Sequence, residues 1–268
     1  MVSRKRVWTV LWQAAAATLV AAAVSIGSDA GVSGAGSPDV RPVLHVPILL
    51  YHRIVPSGEA GNSLPELVVS PAEFAAQLDL LEAAGWHSIT AARLADYLTT
   101  GTTPPRGSFV ITIDDGTGDG FTHAFPILRE HGFVASYYVV AGRIGHPDDL
   151  SANQLRALTA AGNEIGNHTM RHFRLARRTH AIVAGEIDDA SAVIATITSH
   201  RPVTFAYPFG SWDADVAADV AACPGLHLAL TTARGSTETW AGRFELPRIA
   251  VGPTTQPADL LAQMVRGS

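Results

Sequence analysis

Cysteine is nearly absent from this sequence. Cys223 is the single one among 268 residues, so an internal disulfide and a thiolate metal cluster are both excluded. Its expected place is a small core position near a helix end. Basic charge shows no concentration either: 19 Lys and Arg stand against 24 Asp and Glu, a net charge of −5. With no basic stripe and no block of like charge, nucleic-acid binding has little support. Repeats and low-complexity tracts are lacking, and 47% hydrophobic with 16% charged residues is the composition of a folded globular chain.

Charge is missing altogether from residues 7–28, which Arg4-Lys5-Arg6 precede and Asp29 follows. A basic start before a long uncharged apolar run is the pattern of an export signal. Ser28-Asp29-Ala30 offers a small-x-small cleavage site, and the run is long enough for an uncleaved membrane anchor. Residues 1–30 are therefore expected to be a signal peptide or N-terminal membrane anchor, with the body secreted or extracytoplasmic. "GVSGAGSPDVRP", 31–42, reads as a flexible linker. The rest, 43–268, has the size of one domain.

Apolar runs alternate with helical patterns along that domain. Strands are expected at 46–51, 109–114, 134–140, 164–166, 203–208, 227–232 and 244–251. A helix is marked over "SPAEFAAQLDLLEAAG" by Ser70 at the N-cap, Pro71 at N1, Glu73 closing a capping box and Gly85 as the stop. Others are expected at 119–131, 151–162, 180–199, 214–222 and 257–266. Continuous apolar strands separated by helices imply a parallel sheet covered on both faces. About seven such units favour an α/β fold closed as a distorted (β/α) barrel.

In such a barrel, polar residues at the C-terminal strand ends gather on one face. "VITIDD" ends there in Asp114 and Asp115; "NHTMRH", "YPFG" and "LPR" occupy similar positions. His168 and His172 are four apart, a spacing that on a helical turn puts both imidazoles on one side. With 11 histidines, chance yields about half of one such pair, so the pair alone says little. Joined to a strand-end aspartate it makes an O/N/N set, the three-ligand, open-position pattern of a hydrolytic zinc site. Asp115-Gly116-Thr117-Gly118-Asp119-Gly120 also begins like a calcium loop, but Thr117 and Pro126 stand where that loop needs ligands. Asp119 reads instead as a carboxylate at a helix start. Tyr207 and Trp212 are candidates to stack on sugars, against the commoner role of packing. His52 could face the metal or close the barrel end, while His123 and His131 read as packing or surface residues.

In order, "TIDDG", "HTMRH" and "FAYPFG" resemble the motifs of the polysaccharide deacetylase family, carbohydrate esterase family 4 with its NodB homology domain. The resemblance covers roughly residues 45–252 and includes "VPILLYHRI" and "LPRIAV", similar to the branch of exported poly-N-acetylglucosamine deacetylases. It implies a NodB-like distorted barrel. It matches Asp114 to the catalytic base, Asp115, His168 and His172 to the ligands of a divalent metal, usually zinc, and the peptide N–H of Phe209 to the oxyanion donor. The implied reaction is removal of N-acetyl groups from a cell-surface or extracellular polysaccharide, the chain acting as a monomer. A glycan-binding protein of weak activity and an O-acetyl esterase are the alternatives. Two positions depart from the family: Ala206 stands where it carries an arginine, and Arg248 of Leu246-Pro247-Arg248 where it carries a histidine. Leu246 is expected to border the substrate. Arg248 is expected to replace the missing arginine, pairing with Asp114.

Overall fold

A computed structural model describes residues 41, 43–56, 58, 59, 61 and 63–266. The expected leader, 1–30, and the expected linker apart from Arg41 lie outside the described residues. Among the described residues the strands are β1 (Ile48–Tyr51), β2 (Arg53–Ile54), β3 (Val68–Val69), β4 (His87–Ile89), β5 (Ser108–Ile113), β6 (Ser136–Val139), β7 (Glu164–Asn167), β8 (Thr204–Ala206), β9 (Leu228–Arg234) and β10 (Leu246–Ala250). The α-helices are α1 (Pro71–Ala83), α2 (Ala91–Thr100), α3 (Phe125–Glu130), α4 (Ala152–Ala160), α5 (His180–Thr198), α6 (Ala214–Ala222) and α7 (Pro257–Arg266). No helix among the described residues is long and apolar enough to cross a membrane.

Strands β1, β10, β9, β8, β7, β6 and β5 pair in that order, and β5 pairs back to β1. Seven parallel strands thus close into a (β/α) barrel. The distortion lies at β5: Val110 is paired to Ile48 of β1 on one side and to Ile89 of β4 on the other. The short β4 therefore shares the edge of β5 that β6 uses further along.

The two faces of each strand feed different cores, as period-two geometry requires. Ile48, Val110, Tyr138, Ala206, Leu228, Leu230 and Leu246 form one cluster, the barrel interior. Leu49, Tyr51, Ile111, Ile113, Tyr137 and Val139 face out beneath Phe74, Leu78 and Leu81 of α1, Leu155 and Leu158 of α4, and Leu260 and Met264 of α7. The helices start where the sequence places their caps. Ser70 with Glu73, and Ser151 with Gln154, make complete capping boxes.

The floor of the barrel is built by α2, which the strand-and-helix reading does not include. Its signals are all present: Thr90 at the N-cap, Ala91, Leu94, Ala95 and Leu98 buried at helical spacing, and Gly101 left-handed at the end. Those residues join the interior cluster. The N-terminal amides of α2 are received by the starts of two strands, Ala91 N–H by Ser136 Oγ at 2.8 Å and Ala92 N–H by Glu164 Oε2 at 2.8 Å. Also unexpected are β2, β3 and β4, of two or three residues each. The helix expected over 119–131 opens instead with a π-turn, Gly120–Ala124, before α3.

Candidate active site

Strand parity delivers the first carboxylate. Val110 faces the interior, so Thr112 and Asp114 on the same face of β5 point inward too, Asp114 just beyond the strand end. Asp115 reaches the same space only by turning. It is left-handed at φ 73°, followed by Gly116 also at 73°. A Cβ on Gly116 would stand 3.0 Å from the Val139 side chain, so glycine is needed there for space as well as for conformation.

His168 and His172 meet, but not on the expected helical turn. Thr169 and His172 adopt φ of 68° and 62°, so the segment after β7 is irregular. Side chains fix it: Asn167 Oδ1 accepts from Thr169 N–H at 2.7 Å, and Thr169 Oγ1 accepts from His172 N–H at 2.9 Å. The two imidazole centroids lie 4.9 Å apart. Asp115 Oδ1 is 3.5 Å from His168 Nε2 and 3.2 Å from His172 Nε2, and one ligand atom from each of the three falls within 4.8 Å of the others. His168 Nδ1 donates to the Ala206 carbonyl at 2.7 Å, which leaves its Nε2 lone pair facing Asp115. One carboxylate and two imidazole nitrogens in this compass fit a divalent metal ion.

Arg248 meets Asp114 through both terminal nitrogens, Nη1 to Oδ1 at 2.9 Å and Nη2 to Oδ2 at 2.8 Å. It also donates from Nη1 to Thr112 Oγ1 at 3.0 Å and from Nε to the Thr231 carbonyl at 2.8 Å. Parity puts Arg248 inside, two residues beyond the inward Leu246. A bulge supplies the Thr231 acceptor. Leu246 pairs with Leu230 but Arg248 with Arg234, so β9 spends extra residues opposite β10. Thr231 Oγ1 closes the bulge, donating to the Leu246 carbonyl and accepting from Ala233 N–H.

Electrostatics follow from these contacts. Burial by itself would raise Asp114; the charges of Arg248 and His168 and the Arg248 hydrogen bonds outweigh it and hold the carboxyl below the usual range. Burial acts on Asp115 in the same direction, and the neighbouring His168 and His172 imidazoles outweigh it, holding this carboxyl below the usual range as well. His52, just after β1, feels the same charges. Burial lowers its imidazole, Asp114 and Asp115 partly offset this, and Arg248 adds to it.

Phe209 is left-handed at φ 59°, its ring 4.4 Å from that of His172 and 52% exposed. Asp115, Thr169, His172 and Phe209 thus all hold a backbone conformation that L side chains disfavour. Such strain collects at functional sites, and no residue pattern in the sequence signals it.

Two expected sugar contacts are corrected. Tyr207 is fully buried, because parity sends it outward with Phe205 into the core beneath α5 and α6, where its hydroxyl donates to the Phe244 carbonyl at 2.8 Å. Leu246 is buried in the interior, one layer beneath Arg248. Trp212 remains partly exposed, its ring 6.1 Å from Tyr207. Asp119 does stand at the start of the turn Gly120–Ala124, but its carboxylate makes no cap bond there; it accepts from Arg53 Nε at 2.8 Å and from Ile54 N–H at 2.7 Å. Asp115 and Asp119 therefore serve different partners, which leaves the calcium-loop reading without a ligand set. His131 packs on Phe133 and bonds Glu82 at the surface, and Cys223 is buried at the end of α6. Thr112, Thr231 and Asn167 are site residues that sequence reasoning did not find.

Barrel and site together have the layout of a (β/α)-barrel hydrolase. Residues 101–226 match the family model for polysaccharide deacetylase, and the chain carries a polysaccharide deacetylase domain of the NodB-homology type. YxkH of Bacillus subtilis, which bears the name of a polysaccharide deacetylase, is 28% identical over 208 residues, 78% of this chain and 72% of its own. Chitooligosaccharide deacetylase of Rhizobium leguminosarum bv. trifolii is 30% identical over 108 residues, 40% of this chain and 48% of its own. This chain thus matches about half of the rhizobial protein. The solved structure of Streptococcus pyogenes deacetylase PplD in complex with acetate is similar at a TM-score of 0.75 and 25% identity, over 82% of this chain and 97% of that one.

Proposed function

We propose that the chain is a metal-dependent hydrolase that removes N-acetyl groups from an N-acetylglucosamine-containing polymer at or beyond the cell surface. The observation that carries this is the buried Asp114–Arg248 pair beside the Asp115, His168 and His172 set. The uncharged residues 7–28 support a place outside the cytoplasm, free or membrane-attached. An acetylated glycan is supported by the names of the relatives. PplD was solved with acetate, the acid that hydrolysis of an acetyl group releases.

Asp115, His168 and His172 would hold the ion, and two nitrogens with one oxygen favour zinc. Such an ion polarises an acyl carbonyl and makes water a stronger acid. Asp114 takes the proton of the attacking water, and it must be ionised to do so. Arg248 keeps it ionised and fixes its orientation by two parallel bonds. The Phe209 N–H donates to the oxygen on which charge develops. Arg248 cannot return a proton to the departing amine, since guanidinium stays protonated. His52 stands close to the same carboxylates and lies outside the ligand set, and an imidazole can both hold and give up a proton, so it takes that role.

Acetate release from matched N-acetylated and O-acetylated oligosaccharides tests the reading. Release from the N-acetylated substrate is expected, lost with chelator and restored by zinc. His168→Ala and His172→Ala should each lower bound metal. Release from the O-acetylated series alone would overturn the amide assignment.

A further inference from the structure

The chain as a whole is acidic, yet basic charge is concentrated in one short segment. Arg171, Arg174, Arg177 and Arg178 fall within a short run that holds no acid, in a chain of net charge −5. Arg171 is paired with Glu186 at 3.0 Å. Among the described residues, none of the Arg174, Arg177 and Arg178 guanidinium groups forms a close ion pair with a carboxylate, and all three are exposed; Arg177 feels the charge of Asp213, and Arg178 Nε donates to the Arg174 carbonyl at 3.2 Å. With Ala176 and Ser211 they line a cavity of about 490 Å³. This segment joins β7 to α5 directly after His172, so it borders the mouth. Phe209 links the two: its ring lies 4.4 Å from the His172 ring and 4.4 Å from the Arg174 guanidinium carbon.

The loop is held in shape. Leu175 is fully buried, Ala176 N–H donates to Ser211 Oγ at 3.3 Å, and Arg177 N–H donates to Asp213 Oδ2 at 2.7 Å. Asp213, the carboxylate bordering the loop, is engaged by backbone, its other oxygen accepting from Val216 N–H at 3.0 Å. Three guanidinium groups around one cavity repel one another, and an anion entering it relieves that repulsion. Their planar forks suit a carboxylate or a phosphate.

We infer that this cavity is a subsite for an anionic group, carboxylate or phosphate, carried by the glycan on a residue neighbouring the one that is deacetylated. The inference rests on the deacetylase reading of the adjacent site. The substrate class it names is an acidic acetylated glycan.

The test uses the Arg177→Gln/Arg178→Gln double variant, which leaves the ligand set and Asp114 untouched. Three oligosaccharides of equal length are compared: a neutral N-acetylglucosamine oligomer, one bearing a uronic carboxylate and one bearing a phosphate. Calorimetric binding and acetate release are both measured at low and high salt. The native protein should bind an acidic oligomer about tenfold more tightly than the neutral one at low salt, the size of one charge-assisted hydrogen bond. High salt should erode the preference. The double variant should lose it while turning over the neutral oligomer as before, and the carboxylate and phosphate arms show which anion is taken. Equal binding of neutral and acidic oligomers, or a preference that survives in the double variant, overturns the inference. An arginine-dependent preference without acetate release in any arm would instead sink the deacetylase reading and leave the subsite standing.

Discussion

Two buried carboxylates at opposite ends of the barrel have opposite fates. At the mouth, Asp114 receives both terminal nitrogens of Arg248 and is held below the usual carboxylate range. At the floor, Glu238 bridges to Leu44 ahead of β1 and receives one N–H, from Val46 at 2.8 Å, while its Oε1 has no partner. Burial pushes that carboxyl up to about 8. Dehydration disfavours the charge at both ends, so the guanidinium makes the difference. The barrel keeps one buried charge at its mouth, where a guanidinium meets it, and lets another lapse where the chain closes on itself.

The sharpest way to break this comparison is to remove the charge at the mouth. Asp114→Asn is nearly isosteric and should keep fold and metal content. Acetate release should fall about 10²–10⁴-fold, the usual weight of general base catalysis. Unchanged turnover would deny Asp114 the role.

Removing the partner comes next. Arg248→Lys keeps a cation but not the planar fork, and turnover should drop by about tenfold or more while the fold survives. Arg248→Met leaves Asp114 buried and alone, which costs about 3–5 kcal/mol at neutral pH. The sign with pH follows from the depressed native value. The pair stabilises the fold above the unfolded carboxyl range, and that gain is lost as pH falls through the native value. Denaturation of native and Met variants should therefore converge in acid; a constant gap from neutral to acid pH would mean the loss is one of packing alone.

The barrel and the members of the candidate ligand set are legible because they rest on local signals. Apolar runs, capping boxes and the ends of β5 and β7 place Asp114, Asp115, His168 and His172 on one face. The pairing of Arg248 with Asp114 could be reasoned from two departures that complement each other, Ala206 and Arg248. Tyr207 and Leu246 show that proximity to a motif is not access. Strand parity, counted from Phe205 and from Arg248, sends one outward and buries the other a layer down. The left-handed backbone at Asp115, His172 and Phe209 is imposed by tertiary contacts and leaves no composition signal. Helix α2 carries local signals of its own in Thr90, Leu94, Leu98 and Gly101.

Glu238 gives a smaller effect of opposite sign. Between the ordinary glutamate value, 4.5, and about 8, the folded chain keeps a proton that the unfolded chain has released. Stability should fall as pH rises through that window, by about 1.4 kcal/mol per unit for this group. Glu238→Gln fixes the neutral form and should remove the slope, gaining about 1–3 kcal/mol at neutral pH. Equal slopes in chemical denaturation would show that Glu238 is ionised after all.

The smallest effect belongs to a third buried carboxylate, Asp119, 7% exposed. Like Asp114 it is paired with an arginine, yet its work is mechanical. Oδ1 holds Arg53 and Oδ2 holds Ile54 N–H, so the two residues after His52 are tied to the loop that follows Asp115. That tie sets where the His52 imidazole stands relative to Asp114. In Asp119→Asn the amide offers a single acceptor, and its NH₂ must face either the guanidinium or the Ile54 N–H. One bond is lost, a stability cost of about 1 kcal/mol. If the tie positions a proton donor, kcat should fall about 3–10-fold, in line with a displaced acid, with KM and metal content unchanged. The alkaline limb of the pH–rate profile should move as well, since His52 gains solvent and its imidazole is then less depressed. A variant that is less stable but keeps native kcat and native pH profile, measured where it is fully folded, would reduce Asp119 to a structural clamp.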